Sequence, residues 1–324
     1  MAAGKLPLHV REEQPAMAAV GAAGGTSPAL AYRQDRRIRV GHVAELVGRP
    51  VVYVLIVVLF LGPFIWMFFG SLRKESEITG YMFPFSWNTI VPVEWTLQNF
   101  LDIYGISEAG QKGGLKFHIG LMNSGLISIA VVSCSLVFNT MAAYFFARLP
   151  FPGKKYLTAF VVATFLLPFE VTVVPLYLVV SDLGMRNTYW SMIVPFFASP
   201  FIVFMLTQFL GTIPKELDEA ALVDGANYWQ ILWQIVFPNA VPAILTAALI
   251  EFQFIWNLFY WPLIATSSLD LQVIQVMIAS QTTDRTIYWG RTFAGLVSAV
   301  VPVLLLFLFG QRFYFRGAVL SGMK

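Results

Sequence analysis

The chain has a single cysteine, Cys134, so it can build neither a disulfide framework nor a cysteine-based metal site. Its three histidines, His9, His42 and His118, lie far apart and form no pair at metal-ligand spacing. The phosphate-cradling pattern G-x-x-x-x-G-K-[ST] is missing: "FPGKKY" has one glycine before its lysine and no first glycine at the required distance upstream. No ATP or metal cofactor is therefore expected on this chain. No Ser, His and acid constellation of a membrane hydrolase stands out, which argues against an enzyme. Charge is scarce as well, at 12% of 324 residues, against about 25% in an average soluble domain. No basic stripe with interleaved aromatics is present, so nucleic acid is not an expected partner.

What fills the sequence instead is apolar. Hydrophobic residues make up 57% of the chain, with a mean hydropathy of +0.69. They gather into runs of roughly 20, the length at which a helix crosses about 30 Å of hydrocarbon. Six spans are expected, near 51–71, 118–146, 156–180, 190–210, 239–265 and 292–311, giving an all-α membrane protein. Pro63, Pro168, Pro175, Pro195, Pro200, Pro262 and Pro302 fall inside them and predict kinks. Residues 1–35, rich in Ala, Gly and Pro, read as a disordered tail. Residues 36–50 read as a juxtamembrane amphipathic segment, and 51–324 as the six-span domain. With both ends on one side, the termini and the 147–155 and 211–238 loops hold fourteen of the 21 Lys and Arg. The positive-inside rule places that side, and both termini, in the cytoplasm of a multi-pass plasma-membrane protein. The 72–117 segment is then an ordered external cap.

The 211–238 loop is unusual for a connection between spans. Pro214 suits a first helical position, and Glu216, Asp218 and Glu219 suit the positive end of a helix dipole. Leu217, Ala220, Ala221 and Asp224 share one face, where the adjacent alanines leave a smooth patch for another backbone. Gly225 turns the chain. Tyr228, Ile231, Leu232 and Ile235 then form a second apolar face, flanked by Trp229 and Trp233. Periodicity predicts helix, turn, helix at the membrane surface, and taken alone it fits an interfacial hairpin as well as a docking site.

The pattern "EAA", three residues, Gly225, nine residues, "IVFP" resembles the EAA loop of ABC-importer permease subunits, with Phe237 where leucine is usual. Over about 50–324, "TLQNF", "NSGLISIA", "AAYFFARLPFPGKK", "LLPFEVTVVPLY", "LGMRNTYW", "IPKELDEAALVDGA", "WNLFYWPL" and "QRFYFRGAVLSGMK" resemble successive landmarks of the carbohydrate branch, the permeases similar to the MalG subunit of maltose importers. Leu258 stands where that branch often has an acid, and the long N-terminal tail is a departure. The resemblance implies six transmembrane helices and a cytoplasmic coupling helix. In it Glu219 makes polar or charge contacts with an ATPase, Ala220 and Ala221 pack closely on it, Asp224 belongs to the same coupling segment and Gly225 turns the chain. It implies a second permease, ABC ATPase subunits holding ATP and Mg, an extracytoplasmic solute-binding protein and a sugar substrate as partners. It also implies that the C-terminal "RGAVLSGMK" reaches the ATPase pair and that Gln281, Thr282, Thr283, Asp284 and Arg285 face the binding protein.

Ionisable groups inside spans usually face the bundle interior or water. Glu170 and Glu251, with Gln253 and Asn257 near the second, are therefore candidates for a substrate path. Trp256, with Tyr177 and Tyr260, offers aromatic surface for a sugar ring, against the alternative of packing or interfacial anchoring. Two further functions stay open at this point: an ion-gradient-driven carrier working through Glu170 or Glu251, and an ABC permease for glycerol 3-phosphate or related glycerol phosphates.

Overall fold

The computed structural model describes the backbone of residues 28–321 except 82, 83, 85 and 283–286, and the side chains of those among them from 48 to 310. The chain divides into two compact units, residues 1–62 and 63–324. Within the first, the helix Pro28–Ser71 begins ahead of the boundary at 35 drawn for the tail, and residues 1–27 lie outside the described residues. Its apolar stretch from Val51 to Leu61 is exposed throughout, as a lipid-facing surface should be.

All the described regular structure is helical. Hydrocarbon offers no water to pair with backbone N–H and C=O groups, so a spanning chain of this composition must satisfy them within each helix. Five helices are long and apolar enough to cross a membrane: Gly48–Ser71, Phe117–Arg148, Tyr189–Thr212, Tyr228–Trp256 and Trp289–Gly310. A bent pair, Lys154–Phe165 and Phe169–Asp182, supplies the sixth.

Two spans depart from expectation. The third is not one kinked helix over 156–180 but two helices meeting at 98°. Pro168, the residue capping the second helix, lacks an N–H and holds extended backbone that no helix can continue through. The fifth starts at Tyr228 rather than 239 and stops at Trp256, leaving Tyr260–Ala265 as a separate short helix. The second half of the 211–238 loop thus belongs to the span. Pro238 removes one helical donor, and the chain absorbs the loss through a wider π-helical stretch, Ile231–Val236. The Asn239 side chain donates to the Ile235 carbonyl at 2.7 Å in the same turns.

The second span is the axis of the larger unit, packing on the fourth and fifth spans and on the short helix Ile274–Ser280. Its buried face carries a ladder of small polar residues: Asn123, Ser124, Ser128, Ser135, Asn139 and Thr140. Such side chains hold membrane helices together by hydrogen bonding across interfaces. Asn123 donates to the carbonyls of Asp270 (2.8 Å) and Gln272 (2.9 Å) and accepts from the Tyr189 hydroxyl (2.7 Å). The Ile274 N–H donates to Ser124 Oγ at 2.9 Å.

The 72–117 segment forms the ordered cap expected, built from the short helices Glu75–Gly80, Trp87–Ile90, Gln98–Ile103 and Glu108–Lys112. Buried Arg73 donates to the carbonyls of Thr89 (2.9 Å) and Val91 (2.7 Å). The cap is clamped to the last span twice. The Glu75 carboxylate accepts the Trp289 and Gly290 N–H groups, both at 2.9 Å, where the helix dipole favours an anion. Asp102 pairs with Arg291 at 2.8 Å. Burial alone would raise the Asp102 carboxyl, but hydrogen bonds from Ser107, Arg291 and Gln98 and the Arg291 charge hold it below its ordinary value. The stabilisation is therefore complete above the ordinary carboxylate range and is lost as pH falls through the depressed value. Asp102→Asn should destabilise the cap by about 2 kcal/mol at neutral pH, a difference that shrinks once the native carboxyl is protonated in acid. Hydrogen exchange across residues 98–112 at neutral and acid pH checks both.

Candidate functional site: a braced surface loop and a cavity at the broken spans

The loop after the fourth span opens with the helix Glu216–Val223, whose first turn holds Glu216, Asp218 and Glu219. It ends in paired hydrogen bonds, from Ala226 N to the Ala221 carbonyl (2.9 Å) and from Gly225 N to the Leu222 carbonyl (3.1 Å). This closure requires a left-handed residue, and Gly225 supplies it at φ 86°. Two residues on, Asn227 and Gln230 exchange side-chain and backbone hydrogen bonds at 2.8 and 2.9 Å, a reciprocal cap that launches the fifth span. The sequence "DGANYWQ" is thus a helix stop fused to a helix start.

The loop is braced from inside. Ala221 is buried in the cluster that joins Tyr144 of the second span, Ile202 to Leu210 of the fourth and Ile231 to Ala247 of the fifth. Asp218 reaches Arg148, the last residue of the second span, at 3.4 Å, and Arg148 also donates to the Ile213 carbonyl at 2.8 Å. Both side chains are largely buried. Desolvation raises the Asp218 carboxyl, and the Arg148 charge opposes that rise. Glu219, Ala220, Asp224 and Val223 face outward, and Val223 is 88% exposed.

The second feature is a cavity of about 550 Å³. Thr164 and Phe165 line it from before the break in the third span, and Thr172 from after it. Pro195 and Ser199 contribute from the irregular middle of the fourth span, and Glu251 from the fifth. Glu251 is 4% exposed and neighbours Ser135 of the second span.

Residues 139–316, which hold the loop and much of the cavity, match the family described as binding-protein-dependent transport system inner membrane component. The arabinooligosaccharides transport system permease protein AraQ of Halalkalibacterium halodurans is 31% identical over 264 residues, covering 81% of this chain and 90% of that protein. The chain belongs to this family. The diacetylchitobiose uptake system permease protein NgcG of Streptomyces coelicolor is 29% identical over 259 residues, 79% of this chain and 81% of that one. In fold, the chain is similar to a subunit of a bacterial ABC transporter involved in the import of the acidic polysaccharide alginate, with a TM-score of 0.72 and 19% identity over 84% of this chain and 98% of that one. As an inner membrane component of a binding-protein-dependent system, the chain is a permease subunit rather than an enzyme.

Against this membership the expected site residues sort clearly. Glu219, Ala220, Asp224 and Gly225 lie on one exposed strip. Ala221, expected beside Ala220 on a docking face, instead points into the permease, because the helix turns its Asp218 and Ala221 side inward. In the membrane, Glu251 reaches the cavity, whereas exposed Glu170 is absent from its lining. Trp256, expected on the path, is a core residue: it is 3% exposed, stacks on Phe252 and donates to the Ala299 carbonyl at 3.2 Å. Gln253 and Asn257 are exposed, the latter donating to the Gln253 carbonyl at 2.8 Å. Gln281 and Thr282 follow the helix Ile274–Ser280, while Thr283, Asp284 and Arg285 lie outside the described residues.

Sequence reasoning missed the Arg148–Asp218 brace and the Asn227–Gln230 cap. The cap was legible as N-x-x-Q before an apolar run. The brace joins residues distant in sequence and left no local signal. The pair is imperfectly satisfied, since Arg148 Nε and Nη1 and Asp218 Oδ1 have no hydrogen-bond partner among the described residues. Arg148→Ala should cost about 3–5 kcal/mol by stranding Asp218, whereas replacing both by apolar residues of similar volume should be close to neutral. Thermal unfolding of the two variants in detergent measures the contrast.

Proposed function

We propose that this chain is one half of the membrane pore of an ATP-driven oligosaccharide importer, and that the helix Glu216–Val223 couples it to a cytoplasmic ATPase. The observation carrying this reading is the two-sided character of that helix. Its inner side is fastened to the second span through Asp218 and Arg148 and to the core through Ala221. Its outer side presents Glu219, Ala220 and Val223 with no intramolecular cover among the described residues. A helix held rigidly on one side and bare on the other transmits displacement, since packed elements move as bodies. The two named relatives concern oligosaccharide or diacetylchitobiose transport, which supports a sugar as cargo.

In this reading the loop side of the membrane and both termini are cytoplasmic, in line with the distribution of Lys and Arg. The 72–117 cap faces the solute-binding protein side. ATP and Mg are held by the partner ATPase subunits, and a second permease completes the pore. Family membership and the likeness to permease proteins support this reading over a carrier driven by an ion gradient.

Tagged chain solubilised mildly from its native membranes should co-purify an ATPase and a second permease. Glu219→Lys or Val223→Asp should lose the ATPase and keep the second permease. Gly225→Asp, which forces a side chain onto left-handed backbone, should lower uptake by about tenfold or more, the effect of some 1.4 kcal/mol of lost coupling, with membrane insertion unchanged. A chain that emerges alone under these conditions, or normal uptake by Gly225→Asp, overturns the assignment.

A further inference from the structure

The cavity at the broken spans holds a carboxylate that the coupling mechanism does not use. Glu251 lies five residues before the end of the fifth span, on a buried face that is otherwise apolar, and it is almost fully buried. An ionisable side chain at that depth is costly and is tolerated where it meets a partner or a water-filled space. Among the described residues no Lys, Arg or His lines the cavity, and the neighbouring second-span group is the neutral Ser135 hydroxyl. That hydroxyl accepts from Asn139 Nδ2 at 2.6 Å, and Asn139 Oδ1 accepts the Ser199 N–H at 3.1 Å. Glu251 therefore neighbours a hydrogen-bonded pair, Ser135 and Asn139, that reaches the point where the fourth span restarts at Pro200.

A second and independent observation points to the same space. Two neighbouring spans lose helical regularity beside it: the third bends by 98° between Phe165 and Phe169, and the fourth passes through a 3-10 turn, Val194–Phe196, before restarting. Non-helical backbone at membrane depth is tolerated where it is buried in protein or lines a water-filled cavity. Exposed Leu166 and Leu167 lie in the first break, so burial in this chain does not account for it. Broken helices facing one central space are also how transporters build polar sites within the bilayer.

We infer that this cavity is a water-filled segment of the solute path, in which Glu251 accepts hydrogen bonds from a neutral, hydroxyl-rich solute and repels anionic ones. Hydroxyl groups donate strongly to a carboxylate. Thr164, Thr172 and Ser199 add neutral polar groups, and the rings of Phe165 and Phe254 offer apolar walls. The volume falls within the roughly 300–1,000 Å³ usual for small-molecule sites. An acidic sugar would meet no cation in this lining and, with Glu251 ionised, a like charge. The inference rests on the importer reading above and narrows its cargo to neutral sugars.

Because Cys134 is the single cysteine, Cys134→Ser leaves a chain with no thiol, into which Thr172→Cys places one in the cavity wall. The assembled transporter in membranes is treated with a cationic trimethylammonium-ethyl and an anionic sulfonato-ethyl methanethiosulfonate at mildly alkaline pH, above the ordinary carboxylate range. Both reagents should modify the introduced thiol, with the cation favoured over its intrinsic reactivity by about tenfold or more. Glu251→Gln should abolish that preference and Glu251→Asp should keep it. Failure of both reagents at this position, while a thiol introduced by Thr282→Cys at an exposed site reacts, would mean that lipid or the second permease fills the cavity, and the inference falls. Labelling without charge preference also overturns it. Labelling needs no transport, so its outcome is separate from the co-purification that decides the coupling reading.

Discussion

A backbone N–H or C=O left unpaired in hydrocarbon costs several kcal/mol, and this constraint organises the whole molecule. It makes the spans helical, and it makes every interruption of a helix informative. The interruptions are few and fall together, at Leu166–Pro168 in the third span and around Pro195–Pro200 in the fourth. A third irregularity, the π-helical turns Ile231–Val236, sits where the surface loop enters the fifth span. Pro168, Pro195 and Pro200 therefore mark where backbone is released beside a cavity, whereas Pro175, Pro242 and Pro302 lie inside continuous helices.

Polar side chains follow the same logic. The second span carries all its Asn, Ser and Thr residues but Ser133 on the buried face, and several are matched to backbone exposed by an irregular neighbour: Asn123 to the Asp270 and Gln272 carbonyls, Ser124 to the start of Ile274–Ser280, and Asn139 to Ser199. The most regular helix thus completes the hydrogen bonding of the least regular ones. The 72–117 cap repeats the arrangement with charge, Glu75 and Asp102 meeting the N-terminal end of the last span.

At the opposite end of the second span, Arg148 fixes the surface helix through Asp218 and Ile213. Fastened in this way, the outward strip of Glu219, Ala220 and Val223 has a defined position relative to three spans at once. Through Ala221 the surface helix packs on the second, fourth and fifth spans, and the last two of these border the cavity containing Glu251. The loop and the cavity are thereby joined through one packed body.

Composition, run length and the EAA pattern alone determined that this is a helical, polytopic permease, because hydrophobic length and local helix signals act within about 20 contiguous residues. Gly225 was legible for the same reason, since a helix stop is a local event. The register of the fifth span was not, because an apolar surface helix and the first turns of a span share one periodicity and only packing of Ile231, Leu232 and Val236 separates them. Nor could spacing decide between Ala220 and Ala221, or between Glu251 and Trp256. Adjacent helical positions differ by about 100°, and which of them meets solvent, a core or a cavity depends on neighbours far away in the chain. Tertiary structure turned Ala221 inward with Asp218, packed Trp256 against Ala299, and left Glu251 facing open space.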